Sequence, residues 1–238
     1  MSNAISRSIS LLTIVLCSAC GSQDPGHGGT EGGAAAANLT ELMPWKAGNS
    51  WTYLVARDGI LSEKVTTIGA EEPVGGSGPN AALLANRVET LKKNGTDNAL
   101  SWQAKVGDQV VRYRELAYAA STGLLELEEH WDPFKLRIDN SPEHWVEGAT
   151  WVAEYQETKI PYGEDGAPGN PVTTAVKDVW CVQAVDIAVT VPAGTFDAVV
   201  LKRTGAQNEK VYFFVPGVGK VKEVGGQSEE LVSYVVDP

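Results

Sequence analysis

Apolar residues along the chain recur at every second position, and no segment sustains a 3.6-residue period over eleven residues. Ser50 to Ala56 sets Trp51, Tyr53 and Val55 on one face. Arg87 to Lys93 and Ala99 to Val106 flank Asn94-Gly95, a hairpin dipeptide because both residues tolerate positive φ. Val110 to Tyr118 and Leu124 to His130 read as further strands. Val172 to Val191 is rich in Val, Thr and Ile and ends at Pro192-Ala193-Gly194. Phe196 to Lys202, Lys210 to Val215 and Leu231 to Val236 follow, with a second turn at Pro216-Gly217. Proline presets one turn dihedral and glycine accepts the other. The pattern predicts roughly a dozen strands and an all-β fold: a curved sheet, a half-open barrel or a sandwich.

The pattern is also doubled. Trp45-x-x-Gly48-x-x-Trp51-x-Tyr53 returns 100 residues later as Trp145-x-x-Gly148-x-x-Trp151, with Tyr155 just beyond. Leu91-Lys92-Lys93-Asn94-Gly95 resembles Leu201-Lys202-Arg203-Thr204-Gly205. Val106-Gly107-Asp108-Gln109-Val110 resembles Val218-Gly219-Lys220-Val221. Anchors in the same order imply a duplicated antiparallel module, 38–140 and 141–238. The connection near Asp139 to His144 is short, which favours one shared sheet and one continuous domain, 38–238.

Ahead of the modules, Arg7 precedes a short apolar run from Ser8 to Ala19, the form of an export signal. The run is too short to span a bilayer, which takes about 20 apolar residues. Cys17-Ser18-Ala19-Cys20 resembles a bacterial lipobox, with Cys17 where Leu is usual. It makes 1–19 a lipoprotein signal peptide and Cys20 the acylated N-terminus; the alternative is a plain secretory signal cleaved near Ala19. The resemblance implies sorting to the outer membrane, because Gly21 rather than Asp follows the cysteine. Residues 20–37 form the acylated cysteine and a tether. Six of the seventeen residues 21–37 are Gly, with no aliphatic side chain larger than Ala. Such a segment cannot bury a core and spans roughly 21–25 Å as a coil.

Charge narrows the partners. The formal charge is −11, and −12 once Arg7 is removed. An acidic chain lacks the basic face that nucleic acid requires. Of three cysteines, Cys17 is discarded and Cys20 acylated, so Cys181 has no internal disulfide partner. Its setting in Val179-Trp180-Cys181-Val182 reads as a buried, inert thiol.

Pro44 to Tyr53 resembles the opening of many uncharacterised bacterial lipoproteins. Val189-Thr190-Val191-Pro192-Ala193-Gly194-Thr195-Phe196-Asp197-Ala198, then Phe214-Val215-Pro216-Gly217-Val218-Gly219-Lys220-Val221-Lys222, resembles their C-terminal half. These proteins are similar to periplasmic lipoprotein carriers, which implies a curved sheet in a half-open barrel around an apolar cavity. The resemblance brings no catalytic residues with it.

No His-Glu-x-x-His, Gly-x-Ser-x-Gly, phosphate-binding glycine loop or zinc-spaced cysteine pair is present. No cofactor and no metal site is expected. Glu128, Glu129, His130 and Asp132 supply ligand types, but in a strand Glu128 and His130 share a face that Glu129 does not, and a solvated edge is the plainer reading. Glu164-Asp165-Gly166 reads as an acidic turn and Glu229-Glu230 as an exposed strand start. Trp51, Trp151 and Trp180 are expected in the core or lining a groove. The expected function is non-enzymatic: an outer-membrane lipoprotein that binds an apolar ligand, a lipid or acyl chain, in a concave sheet. The alternatives are an assembly module that binds another envelope protein through a sheet edge or apolar patch, and a hydrolase with a site drawn from distant residues.

Overall fold

The computed structural model describes residues 41–93, 98–119, 121–205 and 208–237. The first half supplies β1 (Ser50–Arg57), β2 (Ile60–Pro73), β3 (Leu84–Lys92), β4 (Asn98–Val106), β5 (Gln109–Tyr118) and β6 (Leu125–Asp139). A 3-10 turn, Pro142–His144, leads into the second half. There follow β7 (Thr150–Pro161), β8 (Val172–Val191), β9 (Gly194–Thr204), β10 (Glu209–Val215), β11 (Gly219–Val224) and β12 (Ser228–Val235). Each strand pairs antiparallel with the next, and β12 returns to β1, so all twelve close into one up-and-down barrel. Closure is the complete solution to the edge problem, because every strand then has two neighbours.

Strand alternation divides each strand between lumen and exterior. Trp51, Tyr53 and Val55 are buried along β1. Outside, Glu154 on β7 pairs with Lys177 on β8 at 3.0 Å, and Glu63 on β2 pairs with Lys93, all well exposed. Charges at mid-strand on the outer wall are costly on a lipid-facing barrel surface. Around these pairs the wall has the character of a water-facing surface.

One end of the barrel is sealed. Residues 41–49 approach the end that carries the turns after β4 and β10. The Glu41 carbonyl accepts a hydrogen bond from the Gly217 amide at 2.9 Å, and its carboxylate pairs with Lys105. Leu42 is fully buried among Val110, Ile138 and Trp180. The β8–β9 hairpin covers a second weak point. The β11–β12 ladder extends only from Lys222–Glu230 to Val224–Ser228. Register shifts between Val182 and Ile187, with Asp186 at φ 54°, bend the hairpin toward β12. There the Ala193 amide donates to the Leu231 carbonyl at 2.9 Å, and Phe196 meets Tyr234 edge-on.

The tryptophan motif has the same geometry in both halves. Gly48 and Gly148 have φ of 98° and 83°, a region costly for any residue with a Cβ. The Gly48 amide donates to Ile68 on β2 at 2.8 Å, and the Gly148 amide to Val182 on β8 at 2.9 Å. Asn49 then accepts from Ile68 as Ala149 does from Val182, both at 2.9 Å. The other sequence anchors fall in corresponding hairpins but at shifted positions. Ile68 pairs with Val88, and Val182 with Leu201. The counterpart of Leu201 is thus Val88 rather than Leu91, because the two halves differ in strand and turn length. Asn94-Gly95 lies outside the described residues.

Candidate functional site

The barrel lumen holds a cavity of about 210 Å³, walled by side chains from strands of both halves and by the sealing segment. Met43, Trp45, Trp51, Trp180 and Phe214 form its apolar part. Trp45 is positioned by a hydrogen bond from its Nε1 to Asn86 Oδ1 at 2.9 Å. Trp51 is buried and donates from Nε1 to the Val218 carbonyl at 2.6 Å. Gly219 makes room for it: a Cβ there would lie 2.9 Å from the indole nitrogen.

The three tryptophans expected from sequence separate into two roles. Trp51 and Trp180 are buried and line the cavity; Trp151 does not line it. Trp151 instead stands between His144 and Trp180 in an aromatic column, at centroid distances of 4.1 and 6.0 Å, which Tyr212 extends 5.7 Å beyond Trp180. Such near-parallel stacks fix ring positions beyond what area burial does. Cys20, the expected acylation site, lies outside the described residues. Cys181 is half-buried rather than buried, since it sits beside Thr150 on the alternate face of β8 from Trp180.

Much of the remaining lining is ionic, which the sequence pattern did not announce. Lys64, Lys92, Arg112, Arg137, Arg203 and Lys220 line it, against two carboxylates, Glu115 and Glu229. Glu229 is thus corrected from an exposed strand start to a fully buried residue, 2% exposed. It pairs with Lys64 over the intervening strand β1 and with Lys220 at 2.7 Å. Glu223 pairs with the same Lys220 and with Lys210 at 2.5 Å.

Two β-bulges make this arrangement possible. On β5 the ladder to β4 skips Tyr113, so Arg112 and Glu115 point to the same side and pair. On β11 the ladder to β10 skips Val221, so Lys220 and Glu223 do likewise. In a regular strand, residues three apart face opposite ways; one extra residue realigns them.

Burial and neighbours set the charge states. Burial acts to raise Glu229, but Lys220 and Lys64 hold its carboxyl down at about 2. Glu223 is likewise held far below the carboxylate range by Lys220 and Lys210 against the effect of burial. Burial acts to lower Lys220, yet Glu223 and Glu229 raise it above its ordinary value. Lys64 goes the other way: burial, with Lys220 beside it, lowers its ammonium to about 8. Burial lowers Arg112 to about 10 against the pull of Glu115, and Arg137 adds to the lowering.

Outside the lumen, Glu128 and His130 do meet on one face, 3.2 Å apart, but Arg114 and the Tyr162 hydroxyl occupy Glu128 at 2.7 and 2.9 Å. His144 lies apart, 3.3 Å from Asp139. Among the described residues no three His, Cys, Asp or Glu side chains converge as metal ligands. The Asp165 carboxylate of the acidic turn accepts from the Ala167 amide at 3.0 Å.

Fold and lumen together define a closed antiparallel β-barrel whose cavity is lined by both aromatic and charged side chains. No protein-family model and no curated protein matches the chain. Among solved structures, the chain is similar to a Bacteroides fragilis protein assigned as exported and as having a YmcC-like fold. The TM-score is 0.43 and the identity 11%, over 82% of this chain and 99% of that one.

Proposed function

We propose that this chain is an exported lipoprotein, acylated at Cys20 and held at the outer membrane, whose barrel binds a small ligand with an apolar body in its lumen and carries out no reaction. The observation that carries this reading is the cavity walled by Met43, Trp45, Trp51, Trp180 and Phe214. Ligand sites are concave, largely apolar and furnished with a few fixed polar groups. At about 210 Å³ the space lies below the roughly 300–1,000 Å³ of drug-sized pockets, so the occupant is small or slender.

A binding role fits the buried carboxylates Glu223 and Glu229 better than a catalytic one. Glu223 and Glu229 are each clamped by two lysines and stay ionised at neutral pH. A general acid or base works best with its pKa near the operating pH. The assembly-module reading has less support in its sheet-edge form, because among the described residues the β1–β12 ladder closes the barrel and every strand has two neighbours. The lipobox, the glycine-rich tether and the charged outer wall support attachment through acyl chains rather than through the barrel.

The test is native mass spectrometry of the purified protein before and after organic extraction. An extractable small mass supports the reading; a clean apo mass that also takes up no added octan-1-ol overturns it. Anchoring is tested separately by metabolic labelling with palmitate, which Cys20→Ser abolishes if the cysteine is acylated.

A further inference from the structure

Three arginines around the lumen have unused hydrogen-bonding capacity. The Nε atoms of Arg112, Arg137 and Arg203 are all buried, and none has a partner among the described residues. Arg112 is engaged by Glu115 through its Nη1 alone. Arg203 reaches Asn208 at 3.0 Å and Asp178 only at 3.7 Å, while Asp178 already accepts from the Tyr155 hydroxyl at 3.0 Å. Arg137 makes no ion pair at all among the described residues.

A buried guanidinium without partners is costly, and the cost grows when its neighbours carry the same charge. Arg137 lies close enough to disfavour the charge on Arg112, and Arg137 and Arg203 both act on Tyr212. The chain as a whole is strongly acidic at −11, yet its lumen gathers an excess of cations. Six cations line the cavity against Glu115 and Glu229, and the adjoining carboxylates Glu157 and Glu223 are taken up by lysines. A guanidinium fork matches the two oxygens of a carboxylate or phosphate, with charge-assisted bonds stronger than neutral ones.

We infer that the lumen takes an amphipathic anion, with a carboxylate or phosphate group held among Arg112, Arg137 and Arg203 and an apolar body laid against Trp45, Trp51, Trp180 and Phe214. This assignment rests on the lumen-binding reading above and names the chemistry of its ligand. The arginines complete their hydrogen bonding on the anion, and the anion offsets their mutual repulsion. A cationic amphiphile meets the same groups as a repulsive wall.

The experiment is calorimetric titration of the full protein with octanoate, octyl phosphate, octan-1-ol and octylammonium, all below micellar concentration. Octanoate or octyl phosphate is expected to bind about ten- to a hundredfold more tightly than octan-1-ol, the advantage of hydrogen bonds to a charged group. Whichever of the two is tighter identifies the head group. Octylammonium is expected to give no heat of binding. Arg137→Met removes a cation that makes no ion pair among the described residues, so the variant is expected to unfold at no lower a temperature than the parent. It is expected to lose most of the anion advantage, so that the ratio of octanoate to octan-1-ol affinity falls toward one. Equal affinity for octanoate and octan-1-ol, or an unchanged octanoate affinity in R137M, overturns the anion assignment while leaving lumen binding intact. Silence from all four probes overturns lumen binding itself.

Discussion

Glu115 and Glu223 occupy the same place in the two halves of the barrel. Glu115 pairs across the ladder with Ser101 on β4 and Glu129 on β6; Glu223 pairs with Tyr212 on β10 and Glu229 on β12. Each stands three residues after a cation, Arg112 or Lys220, with one bulged residue between. Arg112-Tyr113-Arg114-Glu115 and Lys220-Val221-Lys222-Glu223 are thus one structural unit used twice. In both copies two glutamates face each other directly, an arrangement that repels unless a cation lies between them. The halves satisfy this differently. Lys220 bridges Glu223 and Glu229, whereas Glu129 turns to Lys159 at 3.1 Å.

That difference predicts unequal costs. Lys220→Met strips a shared partner from two buried carboxylates, and removing one member of a buried ionic cluster costs about 3–5 kcal/mol. Lys159 also joins two carboxylates, Glu129 and Glu157, at 3.1 and 3.2 Å, but its ammonium is half-exposed and screened by water, so its loss is expected to cost about 1 kcal/mol. Urea unfolding of K220M and K159M checks this. Comparable losses in the two variants would mean that the lumen cluster is no more than a screened surface network.

The same lysines and glutamates set the pH dependence of stability. The Glu229 carboxyl is held at about 2, below an unfolded value of about 4.3. Its contribution is complete above the unfolded value and is lost as pH falls from about 4.3 toward 2. Lys64 has the opposite sign. Its folded value of about 8 lies below the unfolded 10.5, so between them the unfolded chain binds more protons and stability rises with pH. Raising the pH from 7 to 9 is expected to add about 1 kcal/mol in urea unfolding. The rise is absent in Lys64→Met. A rise that persists in K64M would assign it to another group.

How far the chain discloses this fold depends on what each strand turns inward. β8 is legible from Val172 to Val191 because Val, Thr and Ile fill both of its faces. β2 is not, because its inward positions include Ser62, Lys64 and Thr66, and a polar lumen erases the apolar alternation. Trp51 and Trp180 stand out in the sequence as large aromatic residues within strand patterns, and in the structure they line the cavity while Trp151 does not. Glu229 does not, since its partner Lys64 lies 165 residues away and two adjacent glutamates look like a rim. The recurrence of a cation three residues before a glutamate in 112–115 and 220–223 is visible in the sequence. It acquires meaning only with the bulge, because an ordinary strand would send the two charges to opposite faces.

Trp51 and Gly219 form a close approach with a testable cost. Gly219 has φ of 106°, and a Cβ there would meet the Trp51 indole nitrogen at 2.9 Å. Gly219→Ala therefore combines backbone strain with displacement of a buried ring, and a loss of about 1–3 kcal/mol is expected. The ring also lines the cavity, so its fluorescence spectrum is expected to shift in G219A. A variant with unchanged emission and stability would show that β1 and β11 adjust freely around the ring.

Gly48 and Gly148 provide the corresponding test of the doubled architecture. Neither has an atom within 4 Å of the position a Cβ would take, so substitution by alanine costs only backbone strain. With φ of 98° and 83° and matching hydrogen bonds to Ile68 and Val182, G48A and G148A are each expected to lose about 1–2 kcal/mol, as for a left-handed non-glycine residue. The losses should agree closely, because each glycine holds the turn leading into the first strand of its half against the second. Chemical denaturation of both single variants provides the comparison. If one were neutral while the other unfolded the protein, the two turns would be alike in shape but not in the strain they bear.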